Sequence, residues 1–140
     1  MRNYRTGWYS SGNVYVFRTR SFSRWMRTAG LTDETLCRAV FEMIRGLIDA
    51  DLGGHVVKKR IALAGQGKRG GVRTIIASNL ADRWFFLYGF GKNERANVDD
   101  SELRMLREVA KEFLEFNDKQ RGAALAAGEI VEICRDNDQA

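Results

Sequence analysis

Two strand-like runs, "VVKKRIAL" (56–63) and "VRTIIAS" (72–78), enclose the stretch "AGQGKRGG" (64–71). Read literally, residues 65–70 match G-x-G-x-x-G. A dinucleotide-binding turn with that spacing runs from a strand directly into a helix, so that a pyrophosphate meets the helix N-terminus. Here the stretch runs from strand to strand, which argues against that turn. A P-loop is excluded on the same ground, and because Lys68 is followed by Arg69 rather than Ser or Thr. What remains is a glycine-rich hairpin connection whose backbone and two cations can approach a polyanion, or an ordinary exposed hairpin tip.

Working outward, "RWFFLYGF" (83–90) is apolar on both faces, as a covered central strand should be. The connection "NLAD" (79–82) suits an antiparallel hairpin. Upstream, "NVYVFRT" (13–19) alternates and reads as a strand. "SFSRWMRTAG" (21–30) reads as a short helix with Ser21 as N-cap and Gly30 at its end. "LTDETLCRAVFEMIRGLIDADLGG" (31–54) reads as one long helix. Thr32 caps it, Asp33 and Glu34 occupy its first turn, Leu36, Val40, Ile44 and Leu47 form its buried stripe, and Gly53-Gly54 end it. Downstream, residues 99–118 form an amphipathic helix with Asp99 and Glu102 as a capping box. "AALAAG" (123–128) prolongs or follows it, and "EIVEIC" (129–134) reads as a terminal strand. The expected organisation is a flexible extension over 1–12, a single domain over 13–135, and a tail over 136–140.

The chain has 140 residues and a net charge of +5, enough for one domain with its own core. Its charge is unevenly spread. No acidic residue lies between Asp51 and Asp82, where Lys58, Lys59, Arg60, Lys68, Arg69 and Arg73 fall. From Glu94 onward twelve acidic side chains face seven basic ones. A cationic block without compensating acids favours a polyanionic partner. No run is long and apolar enough for a membrane span, and the N-terminus lacks a signal peptide's apolar run, so the expected setting is the cytoplasm. Cys37 and Cys134 read as small core residues in a reducing compartment, with a disulfide between them left open.

Strand alternation sorts the cations. Lys58 and Arg60 project together, Lys59 belongs with Val57 and Ile61, and Arg73 can lie across from the Lys58/Arg60 pair. "GFGKNER" (89–95) adds Lys92 and Arg95. His55 is the one histidine, no residue cluster has metal-ligand spacing, and Cys37 has no local base. A Lys/Arg cluster can still promote RNA cleavage, because the nucleophile, the 2′-hydroxyl, belongs to the substrate. Arg holds phosphate and stabilises phosphorane charge, while a Lys crowded by cations can exchange a proton. The same cluster can also bind phosphate without chemistry.

The combination K-x-R (58–60), G-Q-G-K-x-G-G-x-R-T (65–74) and F-x-Y-G-F-x-K-N-E-R (86–95) resembles the RelE/ParE superfamily of toxin–antitoxin toxins, and most closely its HigB-like, phage-related branch. The carrying segments are 45–77 and 82–114, with weaker likeness over 16–25 and 128–133. The resemblance implies an α+β domain of the RelE-like microbial RNase type. In it a small antiparallel sheet packs against N-terminal helices, with a C-terminal helix. It implies a ribosome-dependent mRNA endonuclease with no cofactor or metal, whose partners are a cognate antitoxin, the ribosome and mRNA. By position, Lys58, Arg60, Arg73 and Lys92 match the family's catalytic places, and Lys59, Lys68, Arg69 and Arg95 are assigned to RNA phosphate. Ala64 replaces a proline that often precedes the G-Q-G turn. The Tyr or His that some relatives carry near the C-terminus has no counterpart after Tyr88. The competing expectations are a ParE-like inhibitor of a protein such as gyrase, and a general nucleic-acid-binding module. The scarcity of stacking aromatics beside the basic block weighs against the module.

Overall fold

The computed structural model describes residues 14–63 and 67–135, with backbone alone for 67–69. The expected extension over 1–12, the tail over 136–140, Ala64, and the side chains of Lys68 and Arg69 therefore lie outside the described residues. The elements run β1 (Tyr15–Thr19), α1 (Arg20–Ala29), α2 (Asp33–Ile44), β2 (Ala50–Gly53), β3 (Val56–Leu63), β4 (Gly67–Ser78), β5 (Arg83–Gly91), α3 (Asp100–Leu114), α4 (Asp118–Ala126) and β6 (Ile130–Ile133). They form one six-stranded sheet in the order β2-β3-β4-β5-β1-β6. The fold class is α+β, as expected. The sheet is mixed rather than purely antiparallel, because β1 lies parallel to β5.

Two apolar clusters sandwich the sheet. On one face Val57, Ile61, Val72, Ile76 and Phe86 meet α1 and α2 through Phe22, Met26, Leu36 and Val40. On the other, Val56, Ile75, Ala77, Phe85 and Phe90 meet α3 and α4 through Leu106, Ala110, Phe113 and Ala124. The double coverage explains why β5 is apolar on both sides.

Local signals set the helix ends. Thr19, not Ser21, caps α1: its Oγ1 accepts from the Phe22 amide at 3.2 Å, and Ser21 stands in the first turn. Gly30 closes α1 at φ 82°, a conformation glycine adopts without Cβ strain. Thr32 caps α2 by accepting from the Thr35 amide at 3.2 Å. For α3, the Asp99 side chain accepts from the Glu102 amide at 2.8 Å while Glu102 accepts from the Asp99 amide at 2.9 Å. That is the expected capping box.

Two further expectations are corrected. Helix α2 ends at Ile44 instead of running to Gly53. Gly46 takes φ 95°, the chain turns, and residues 50–53 return as β2 on the sheet edge. Leu47 is consequently 54 % exposed rather than part of the buried stripe. The sulfurs of Cys37 and Cys134 are joined in a disulfide instead of standing as separate thiols. Cys37 on α2 and Cys134 just after β6 meet inside the same apolar cluster, with Cα atoms 5.6 Å apart.

Candidate nucleic-acid interface

Register fixes the basic side chains on the sheet. Lys58 stands opposite Ile75, which stands opposite Tyr88; one step along, Arg60 faces Arg73, which faces Phe90. Directly opposed residues share a face, and Ile75 and Phe90 belong to the α3 side. So Lys58, Arg60, Arg73 and Tyr88 occupy one continuous area of the α3-side face. Phe90 within it is buried, Lys58, Arg73 and Tyr88 are half-buried, and Arg60 is exposed.

Two arginines directly across a sheet repel one another. Arg60 has partial relief. Its Nε lies 3.4 Å from Asp49 Oδ1, and its amide donates to Asp49 Oδ2 at 2.6 Å. Arg73 has no acidic partner among the described residues, and its buried Nη1 has no hydrogen-bond acceptor. A buried charged donor without a partner is costly, on the order of 1–3 kcal/mol or more. An anionic oxygen seated between the two guanidinium groups would supply that acceptor and relieve the repulsion together.

The remaining expected residues divide. Lys59 is on the α2 side, as alternation places it, but is only 2 % exposed. Its ammonium lies 2.8 Å from Glu42 Oε1 and donates to the Leu47 carbonyl at 2.8 Å. This corrects its assignment to RNA phosphate, because its charge is already neutralised inside the fold. Arg95 is also engaged. Its Nη1 and Nη2 reach the two Glu102 oxygens at 2.7 and 2.5 Å, and Nη1 donates to the Tyr88 hydroxyl at 3.2 Å. The Glu102 hydrogen bond, then that to Tyr88, raises the Arg95 pKa above its ordinary value. The Arg95 hydrogen bond, then the Asp99 amide, lowers the Glu102 pKa below 4.5. Arg95 thus ties the loop after β5 to the start of α3 and holds Tyr88. Lys92 lines a cleft on the α1 side with Trp25 and Gly71.

Tyr88 is the residue the sequence reading missed. Its signal was present: in a strand it lies two residues from Phe90, beside the level at which Lys58 projects. Lacking the register, its nearness to Lys58 could not be read. The assembled face offers two guanidinium groups for a phosphate and, beside them, an ammonium and a phenol that can each give up a proton.

Fold and face together define a small α+β protein with a cationic area on one side of its sheet. The model of the RelE toxin family, described as the RelE toxin of the RelE/RelB toxin–antitoxin system, matches residues 14–133. The chain belongs to this family. A toxin of such a system has an antitoxin as its counterpart. A search of the curated proteins found no match.

Proposed function

We propose that this protein arrests translation by cleaving mRNA on the ribosome, in the manner of the HigB-like branch its sequence resembles. The reading rests above all on Arg60 and Arg73, opposed across two strands with the Arg73 Nη1 buried and unpaired. In the proposed reaction the 2′-oxygen of a ribose attacks the adjacent phosphorus and the P–O5′ bond breaks. One product carries a 2′,3′-cyclic phosphate and the other a 5′-hydroxyl. The 2′-hydroxyl proton leaves to a group on the protein, and a proton is delivered to the departing 5′-oxygen. Arg60 and Arg73 take the charge that builds on the non-bridging oxygens, where fixed donors contribute most. Lys58 and Tyr88 are the neighbouring groups able to exchange those protons.

The test is cleavage of a defined mRNA by the purified protein, with and without ribosomes. Cleavage is expected only on the ribosome, and an mRNA with a single 2′-deoxy nucleotide at the cut position should resist. Efficient cutting of that deoxy-substituted mRNA, or 3′-hydroxyl ends on the products, would overturn the mechanism.

A further inference from the structure

The opposite side of the same sheet region holds a second feature that the proposed chemistry leaves unused. A cleft of about 380 Å³ opens between the end of α1, the start of β4 and the turn after β5. Its volume lies within the range of small-molecule sites, roughly 300–1,000 Å³. Trp25 forms its aromatic wall. The six-membered ring of Trp25 lies against Gly89, where any Cβ would collide with it. Gly71 also lines the cleft with bare backbone, and a Cβ there would collide with the Ile61 carbonyl of β3. Lys92, Asn93 and Glu94 form the polar rim. Lys92 has no acidic partner among the described residues. Glu94 has one oxygen fixed by the Gly91 amide at 2.5 Å, which aligns its carboxylate.

We propose that this cleft is a nucleobase site for single-stranded RNA. The base stacks on Trp25, its amino edge meets Glu94 or Asn93, and Lys92 holds the attached phosphate. The parts match what an unstacked base requires: an aromatic plane, apolar and glycine-backbone walls, hydrogen-bonding groups for its edge, and one cation for its backbone. The inference rests on the RNA reading above, and it gives Lys92 a binding role instead of a catalytic one. Val72 lines the cleft while its neighbour Arg73 lies on the cationic face. A strand crossing this part of the sheet could engage both sites.

The experiment is a fluorescence and calorimetric titration of the intact protein with each of the four ribonucleoside 3′-monophosphates, and with ribose 5-phosphate as the probe lacking a base. Saturable binding of at least one nucleotide is expected, with ribose 5-phosphate at least about tenfold weaker. Trp25→Ala should weaken binding at least about fivefold, and Trp25→Phe should retain most of it. Because Trp25 packs against β5, Lys92→Ala and Asn93→Ala supply variants outside the core, and both should weaken binding with the fold intact. No saturable binding, equal binding of ribose 5-phosphate, or binding unchanged in all of these variants overturns the proposal. Because the nucleotide's phosphate can also meet the Arg60/Arg73 pair, the cleft is scored on the binding that Trp25→Ala removes, and that part should persist in the Arg73→Ala protein. A parent protein that binds the nucleotides but cleaves no mRNA would count against the nuclease reading and leave the cleft standing, and one that cleaves mRNA without binding nucleotides in the cleft would do the opposite.

Discussion

Arg73 and Lys59, both cations of the same hairpin, have opposite fates because of strand parity and partners. Arg73 faces Arg60 and lacks an acceptor for Nη1, whereas Lys59 is sealed against Glu42. Arg73→Ala should leave stability within about 1 kcal/mol of the parent, since it removes a like-charge contact as well as some packing. It should lower cleavage by about 10²–10³-fold. Lys59→Ala should do the reverse. Losing one member of a buried pair costs about 3–5 kcal/mol, and the partial exposure of Glu42 brings the expected figure to the low end of that range. Urea unfolding beside a cleavage assay separates the two. A well-folded Lys59→Ala protein of parental stability would contradict the placement of that lysine. The alternation was legible in the sequence; the Glu42 partner was not, because it comes from a helix packed across the sheet.

At the level of elements, sequence punctuation located nearly every boundary that depends on local chemistry: Thr32, Gly30, and the Asp99–Glu102 box. It failed where distance mattered. The stripe Leu36, Val40, Ile44 and Leu47 has helical spacing throughout, yet the helix ends at Ile44 and residues 50–53 add an edge strand. A four-residue strand is too short to carry much signal of its own and exists by pairing with β3. The cysteine pair shows the same limit, since 97 residues separate its members. The disulfide should stabilise the fold by about 2–5 kcal/mol, measured as a fall in the urea midpoint when a dithiol reductant is added or Cys134→Ser is introduced. An unchanged midpoint would mean that the bridge does not form in solution. The Arg95–Glu102 link makes a pH prediction. The folded-state pKa of Glu102 is lowered from 4.5. Its contribution is therefore full above pH 4.5 and is lost as pH falls through the depressed value. Glu102→Gln should flatten that part of the acid-unfolding curve, and an identical curve would remove Glu102 from the account.

For the whole molecule, the strand–strand context of residues 64–71 was enough to reject a dinucleotide fold, and the set of short motifs was enough to reach the family. The mixed sheet was harder to foresee. The parallel β1–β5 pair joins strands far apart in sequence, and the cationic area exists only once β3, β4 and β5 are in register. Tyr88 entered the candidate site through that register alone. The central claim, that this face cleaves mRNA during translation, is tested most directly by mapping mRNA 5′ ends in cells. Controlled expression should be compared with the Arg73→Ala protein, and each with translation initiation active or blocked. The account predicts new 5′-hydroxyl ends inside translated reading frames, absent when initiation is blocked and absent with Arg73→Ala. Growth arrest without new ends, as an inhibitor of a protein target would give, or ends that persist when initiation is blocked, would contradict it.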